Sequence, residues 1–335
     1  MLLNKEQSNV LSKAISMPLR HTFNIDHGKI LISSDGFFCS INLGEHHNEQ
    51  VTVNTEYFLP IKKSIKDDSE ISIQGSNLIL SNSSNTISIL LEGEYKKIAN
   101  YEFDYSGVLI ENLDSIFNLA DKNLNLDVIF QPGCIIFYQS TSIKHVKTTI
   151  HTDTKSLANI SIQISCETLR VLKTMFVTCC LVSIDTEGNC IYFHSASNLW
   201  FCRVPASPKG RIGEISFPGH EIRIQAKSFA NAIIETKHLT KDDLQNYIKL
   251  KTKNNKLYID ASYGNAVNTS CEIPIESNLK EDFEIFWSKN MASWCVDFIY
   301  SGAHSLILKT NSKIISIVQK YNQIESVITT PLKVS

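Results

Sequence analysis

The sequence predicts an α+β fold made of three similar domains, and three observations predict it. Amphipathic helix patterns open near Val10, Ile110 and Ala226, about a third of the chain apart. Each is followed by short, alternating β-rich runs, then by a second helix pattern and more strands. The period, roughly 110 residues, is too long for a solenoid unit and marks triplicated whole domains. The divisions fall at residues 1–104, 105–217 and 218–335.

In the first third, Val10-Leu11-Ser12-Lys13-Ala14-Ile15 opens a helix. Residues 29–34 and 37–43 read as strands around Asp35-Gly36, a strong hairpin dipeptide. Asn54 then caps a helix whose Tyr57, Phe58, Ile61 and Ile65 share one face, with Pro60 in its early turns. Strands follow at 70–75, 77–81 and 86–90. The second third starts its helix at Ile110 and continues it through Leu113, Ile116 and Phe117. Strands at 126–130 and 134–138 flank Gln131-Pro132-Gly133. The strand 160–164 leads into a helix capped by Ser165, with Leu169, Leu172 and Phe176 at helical spacing. A hairpin joins 181–184 to 190–193 through Glu187-Gly188-Asn189. In the last third, a helix starts at Ala226, Asn254-Asn255 turns a hairpin between 247–251 and 256–260, and a helix covers 288–299. Strands at 305–309 and 314–318 and a tail at 328–334 close the chain. Tyr101–Ser106 and Pro208–His220 are irregular, which suits boundaries. Two amphipathic helices per third need an apolar surface, and antiparallel sheets with one buried face supply it.

Composition narrows the function. Among 335 residues, 43% are hydrophobic and 20% charged, as in a soluble globular protein. A net charge of −2 argues against coating nucleic acid by bulk charge, although 32 Lys and Arg leave room for a local basic surface. The start, Met1-Leu2-Leu3-Asn4-Lys5-Glu6, lacks the apolar core of a signal peptide, and no apolar run approaches the ~20 residues of a membrane span. Nine scattered cysteines suggest reduced thiols in a cytoplasm, with Cys179-Cys180 in the core of a strand. No phosphate-binding glycine loop, zinc-protease motif or nucleophile elbow is present. His46-His47 reads as a solvated turn, and Cys190, His194 and Cys202 as core packing rather than a zinc set. These absences favour a scaffold over an enzyme, with no metal and no cofactor.

Two local motifs add a resemblance. The chain ends Thr330-Pro331-Leu332-Lys333-Val334, and Ile215-Ser216-Phe217-Pro218 precedes the last third. With the threefold pattern, these resemble the bacterial β-type sliding clamp of replicative DNA polymerases. That family ends apolar-Pro-apolar-basic-apolar and leaves its middle domain through Phe-Pro. The resemblance covers most of the chain. Thr330 replaces a large apolar residue, and Ser140-Thr141-Ser142-Ile143-Lys144-His145 stands where the family has Thr-Asp-Gly-His-Arg-Leu. Such departures suit a divergent or phage-encoded member.

The resemblance implies a non-enzymatic processivity factor in the cytoplasm that encircles duplex DNA as half of a closed ring. Six similar domains close a ring if each adds a fixed rotation, so three per chain call for a homodimer. A ring that slides must touch phosphates loosely and read no bases. Candidate DNA-facing residues are Arg20, His21, Lys62, Lys63, Lys66, Lys122, Arg170, Lys173, Lys227 and Lys289, with Lys5, Lys13, Lys237 and Lys241 on the same helix patterns. The family's polymerase and clamp loader insert a short extended peptide into an apolar pocket. Carried over, that pocket involves Thr330, Pro331, Leu332, Lys333 and Val334, then Ser140, Ser142, Ile143, Lys144, His145, Pro218 and Met291. Residues Pro331 to Ser335, at the chain end, are expected to wall the pocket while giving few core contacts unless the tail is tied down; the equal alternative is that Pro331 and Leu332 only terminate a strand and cover the core. The alternative is a triplicated β-rich structural or host-interaction module that does not encircle DNA.

Overall fold

The computed structural model describes the chain apart from residues 1, 16–21, 35, 36, 44–49, 54–56, 58–64, 66–68, 99–106, 112, 114, 115, 118, 119, 154–158, 176–178, 186–188, 198, 210–218, 239–246, 264–266, 277–280, 300–302, 334 and 335. In chain order, helix α1 (Lys5–Ile15) precedes strands β1 (Thr22–Asp26), β2 (Lys29–Ser34), β3 (Phe37–Asn42), β4 (Gln50–Val53), β5 (Glu70–Gln74), β6 (Asn77–Ser81) and β7 (Thr86–Glu92). The middle third contributes β8 (Val108–Glu111), β9 (Leu126–Gln131), β10 (Cys134–Ser140), β11 (His145–His151), β12 (Ile160–Ile164), α2 (Cys166–Met175), β13 (Cys179–Asp185), β14 (Cys190–His194), β15 (Trp200–Pro205) and β16 (Ser207–Pro208). The last third gives β17 (His220–Gln225), α3 (Ala226–His238), β18 (Tyr247–Lys253), β19 (Lys256–Tyr263), β20 (Val267–Pro274), β21 (Glu284–Ser288), α4 (Lys289–Val296), β22 (Ser305–Thr310), β23 (Ile314–Tyr321) and β24 (Ile324–Pro331).

These elements form two compact units, residues 1–126 with 162–209, and residues 127–161 with 210–335. The first holds an eleven-stranded sheet ordered β5-β6-β7-β4-β1-β2-β3-β15-β14-β13-β8. The β3–β15 pairing, Trp200↔Ile41 through Arg203↔Phe38, joins its first-third strands to its middle-third strands. Helices α1 and α2 pack against each other, and α1 lies on β3. They do so because Val10, Leu11, Ala14 and Ile15 share one face of α1, and Leu169 and Leu172 one face of α2. All six are buried, at about 1.5–3 kcal/mol for each large aliphatic chain. Both helix starts are capped. Asn4 and Gln7 exchange a reciprocal pair of backbone-to-side-chain bonds at 2.8 and 2.9 Å, and the Thr168 amide donates to Ser165 Oγ at 3.1 Å.

The second unit carries the strand run β9-β10-β11-β24-β23-β22-β17 and a four-stranded sheet ordered β20-β19-β18-β21. The β11–β24 pairing, His145↔Thr329 through Ile150↔Ile324, joins a middle-third strand to the end of the chain. Helices α3 and α4 pack together. Trp287 is fully buried beneath them and stacks on Phe229, with ring centroids 6.5 Å apart. Turn chemistry fixes the hairpins. Asn254 and Asn255 both take positive φ, 52° and 58°, as a two-residue loop between right-twisted strands requires. Gly133 has φ 80°, the second central position of a Pro-Gly turn.

The sequence reading holds for most elements and fails at several ends. Helix α1 starts at Lys5, not Val10, because the Asn4 cap precedes the first apolar residue of the pattern. Ile110 lies in β8, not at a helix start; it pairs with Cys180, and helical residues begin at Leu113. Strands β1, β4, β8, β11, β15, β17, β20 and β21 were not foreseen, since several are short or polar-rich. Cys190, His194 and Cys202 are buried in strands as expected. The helix expected over 54–65 lies outside the described residues except for exposed Tyr57 and buried Ile65. Asp35-Gly36, His46-His47 and Tyr101–Ser106 also lie outside them.

Candidate functional site

The residues singled out by sequence fall into two sets. The first lies on the helices, α1 and α2 in one unit and α3 and α4 in the other. The four helices hold Lys5, Lys13, Arg170, Lys173, Lys227, Lys237 and Lys289 against Glu6, Glu167 and Glu235, in a chain of net charge −2. Glu6 is turned inward, accepting from Trp200 Nε1 at 2.8 Å and Ser197 Oγ at 3.2 Å. Glu235 accepts from Cys271 Sγ at 3.4 Å.

Lys122, Arg170 and Lys173 converge. The turn after residue 120 is closed by the Asn123 amide donating to Asp121 Oδ1 at 2.9 Å. Arg170 on α2 reaches across to it, donating from Nε to the Lys122 carbonyl at 3.1 Å and from Nη2 to Asn123 Oδ1 at 3.2 Å. The turn carrying Lys122 is thereby fixed beside the helix. Burial holds the Lys173 ammonium below its ordinary value; Asp121 opposes this and Lys122 adds to it. Lys5, Lys122 and Lys227 are exposed, and none has a carboxylate at ion-pair distance among the described residues. Lys289 is a correction. It is only 8% exposed and makes its contacts within the fold, so it is not part of a solvated face. Arg20, His21, Lys62, Lys63, Lys66 and Lys241 lie outside the described residues.

The second surface is built around the chain end. β24 delivers Thr330 and Pro331, and the chain then crosses to β21. The Leu332 amide donates to the Lys313 carbonyl at 2.7 Å, and the Lys333 amide to the Phe286 carbonyl at 3.0 Å. Leu332 forms an isolated bridge with Trp287 and is 6% exposed. Of the two readings of the tail, the structure has it tied down, with Leu332 covering the core. The structure also explains the departure at Thr330. Its hydroxyl accepts a hydrogen bond from Trp287 Nε1 at 2.8 Å, satisfying an indole that would otherwise be buried unpaired.

The loop 140–145 joins the same surface through the β11–β24 register, where His145 faces Thr329. Ser140 Oγ and Tyr138 OH meet His145 Nδ1 at 2.6 and 3.3 Å, and burial lowers the His145 pKa. Ser142 and Ile143 are exposed. Lys144 Nζ sits 4.4 Å from the centre of the Trp294 ring, which meets Phe298 edge-on at 4.4 Å. Met291 is half-exposed one turn earlier on α4. Lys333 Nζ lies 4.7 Å over Tyr247, which is exposed, as is Phe286 on the adjacent strand. Sequence reasoning missed Trp294, Phe298, Tyr247 and Phe286. Only the last two left a signal, as aromatic residues on the polar face of alternating strands. Pro218 and Val334 lie outside the described residues.

The fold has close counterparts among solved structures. The DNA polymerase III beta subunit from Thermotoga maritima aligns over 99% of this chain and 98% of its own, with a TM-score of 0.72 at 12% identity. The DNA polymerase sliding clamp from Bacillus subtilis aligns over 100% and 99%, with a TM-score of 0.72 at 13% identity. The DNA polymerase III beta chain from Streptococcus pneumoniae aligns over 99% and 100%, with a TM-score of 0.70 at 11% identity. No protein-family model and no curated protein sequence matches the chain. The α+β architecture is therefore the sliding-clamp fold, reached at sequence identities where only the three-dimensional pattern is shared. Among the described residues, no helix is long and apolar enough to cross a membrane.

Proposed function

We propose that this protein is a DNA sliding clamp: a non-enzymatic processivity factor that encircles duplex DNA and tethers a polymerase and other partners. The observation that carries the reading is fold likeness over essentially the whole chain, with a TM-score of 0.72. It is supported by helices that are basic while the chain is slightly acidic. On this reading the three domains run 1–104, 105–217 and 218–335, and two chains close head to tail, the first domain of one against the third of the other. The eight-residue edge strand β20 offers a backbone ladder that such a contact would cover. Lys5, Lys122, Arg170, Lys173 and Lys227 would face phosphates. The chain-end surface would receive a short extended peptide from the polymerase or the loader. The test is topological. Separated protomers are concentrated in the presence of a circular plasmid, washed at high salt, and the DNA is then cut once. A clamp stays on the circle and leaves the linear form; equal loss from both forms refutes the reading.

A further inference from the structure

We propose that Cys39 and Cys202 form a reversible cross-strand disulfide when the protein meets a hydroperoxide, closing a covalent latch between the first third of the chain and the middle third. Both side chains are thiols in this structure, 0% and 1% exposed. They stand directly opposite each other in the β3–β15 pairing. Among the described pairings no other register sets cysteine against cysteine. Cys134 faces Gln131 and His151, Cys190 faces Asp185 and Pro205, and Cys271 faces Ile259.

The hydrogen-bond phase of the pairing favours the bond. The Asn42 amide donates to the Leu199 carbonyl at 2.7 Å, one step beyond Trp200↔Ile41. Bonded and non-bonded pairs alternate along an antiparallel ladder, so Ser40 with Phe201 is a bonded pair and Cys39 with Cys202 is not. In a non-bonded pair the Cα atoms lie only about 4.5 Å apart, and both side chains leave the sheet on the same face. A disulfide spans about 4.4–6.8 Å between Cα atoms, so the strands already hold the two residues within reach. The spacing is at the short end of that range, where strain makes the bond easy to reduce again.

Hydrogen peroxide alone completes the reaction. One thiol attacks a peroxide oxygen, the O–O bond breaks, and a sulfenic acid forms with release of one water. The second thiol attacks that sulfur, the S–O bond breaks, and the disulfide forms with release of a second water. The two sulfurs lose two electrons in all, and the peroxide gains them. Phe193 stands next to Cys202 in the same cross-strand row and meets helical Phe117, with ring centroids 6.0 Å apart. The pair therefore lies on the face that a helix covers. Oxidation waits on opening of that layer, and a small oxidant is the kind that reaches the thiols.

The experiment incubates the full, reduced chain with hydrogen peroxide, alkylates the remaining thiols in denaturant, and maps the digested protein by mass spectrometry. The expected result is a pair of peptides joined through Cys39 and Cys202, two hydrogens lighter than the reduced pair and released by dithiothreitol. The joined chain should melt about 5 °C higher, because the link closes about 160 residues of chain, and should return to its first melting temperature on reduction. Cys39→Ala and Cys202→Ala should each remove both the link and the shift; the wild-type map decides the matter alone if either variant folds poorly. Two thiols still reduced after peroxide overturn the inference, as does a sulfinic acid at either position or a link to a different cysteine. A link that leaves the melting temperature unchanged refutes the latch.

Discussion

The helix pair α1/α2 and the chain-end tail were both singled out as functional surfaces, yet they are built in opposite ways. On the helices, the apolar face does the packing, and Lys5 and Arg170 stand outside it on the exposed side, with exposed Lys122 on the turn that Arg170 holds beside α2. On the tail, Leu332 packs under Trp287 while its neighbour Lys333 is exposed, so core and surface alternate residue by residue. Function and stability are separable in the first region and interleaved in the second.

The largest effect that contrast predicts is on stability. Deleting Pro331 to Ser335 removes a buried leucine and two backbone hydrogen bonds, and should cost about 3 kcal/mol. Urea unfolding of the truncated chain checks this. A loss below about 0.5 kcal/mol would mean that the tail is loosely held after all.

Among the exposed lysines, the double change Lys122→Gln, on the turn beside α2, with Lys227→Gln, on α3, should leave the melting temperature unaltered while weakening DNA binding. If both lysines touch phosphate, the slope of log affinity against log salt becomes shallower by about 2. Lys289→Gln should do the reverse, lowering the melting temperature and leaving the slope alone, because that side chain is buried. A salt slope that responds to Lys289 and not to Lys122 would invert the comparison.

A smaller effect concerns pH. Burial lowers the pKa of His145 and of His194, which is fully buried. A histidine whose folded pKa lies below its unfolded value binds protons preferentially in the unfolded chain. Stability should therefore be intact above the unfolded value, about 6.5, and fall as pH drops below it. Unfolding curves at pH 7.5 and pH 5.5 check this, and His194→Phe should flatten the difference. The smallest effect belongs to Lys333→Ala. It should change stability by less than about 0.5 kcal/mol, because only an exposed cation–π contact over Tyr247 is lost.

What sequence revealed follows from how local each signal is. The Ser165 cap, the Asn254-Asn255 turn and the alternating strands of the last third are written in neighbouring residues, and the structure contains them. The helix expected from Ile110 failed because Val108, Leu109 and Ile110 are apolar at every position. A short continuous run has no period, and pairing with β13 made it a strand. The chain-end site was legible only in part. Loop 140–145 and the tail were placed together by resemblance, and the β11–β24 register does bring His145 opposite Thr329. Trp294 and the lysine above it meet across 150 residues of sequence, a contact no local pattern encodes. The exposure of Lys289 was misjudged because a lysine at the first position of a helix usually reaches solvent.

The central claim is a closed ring, and particle imaging at micromolar concentration, with light scattering on the same sample, tests it most directly. The account predicts closed rings with a central hole wide enough for duplex DNA and a mass twice the 37.7 kDa of one chain. Particles of single-chain mass alone, or dimers without a hole, would contradict it.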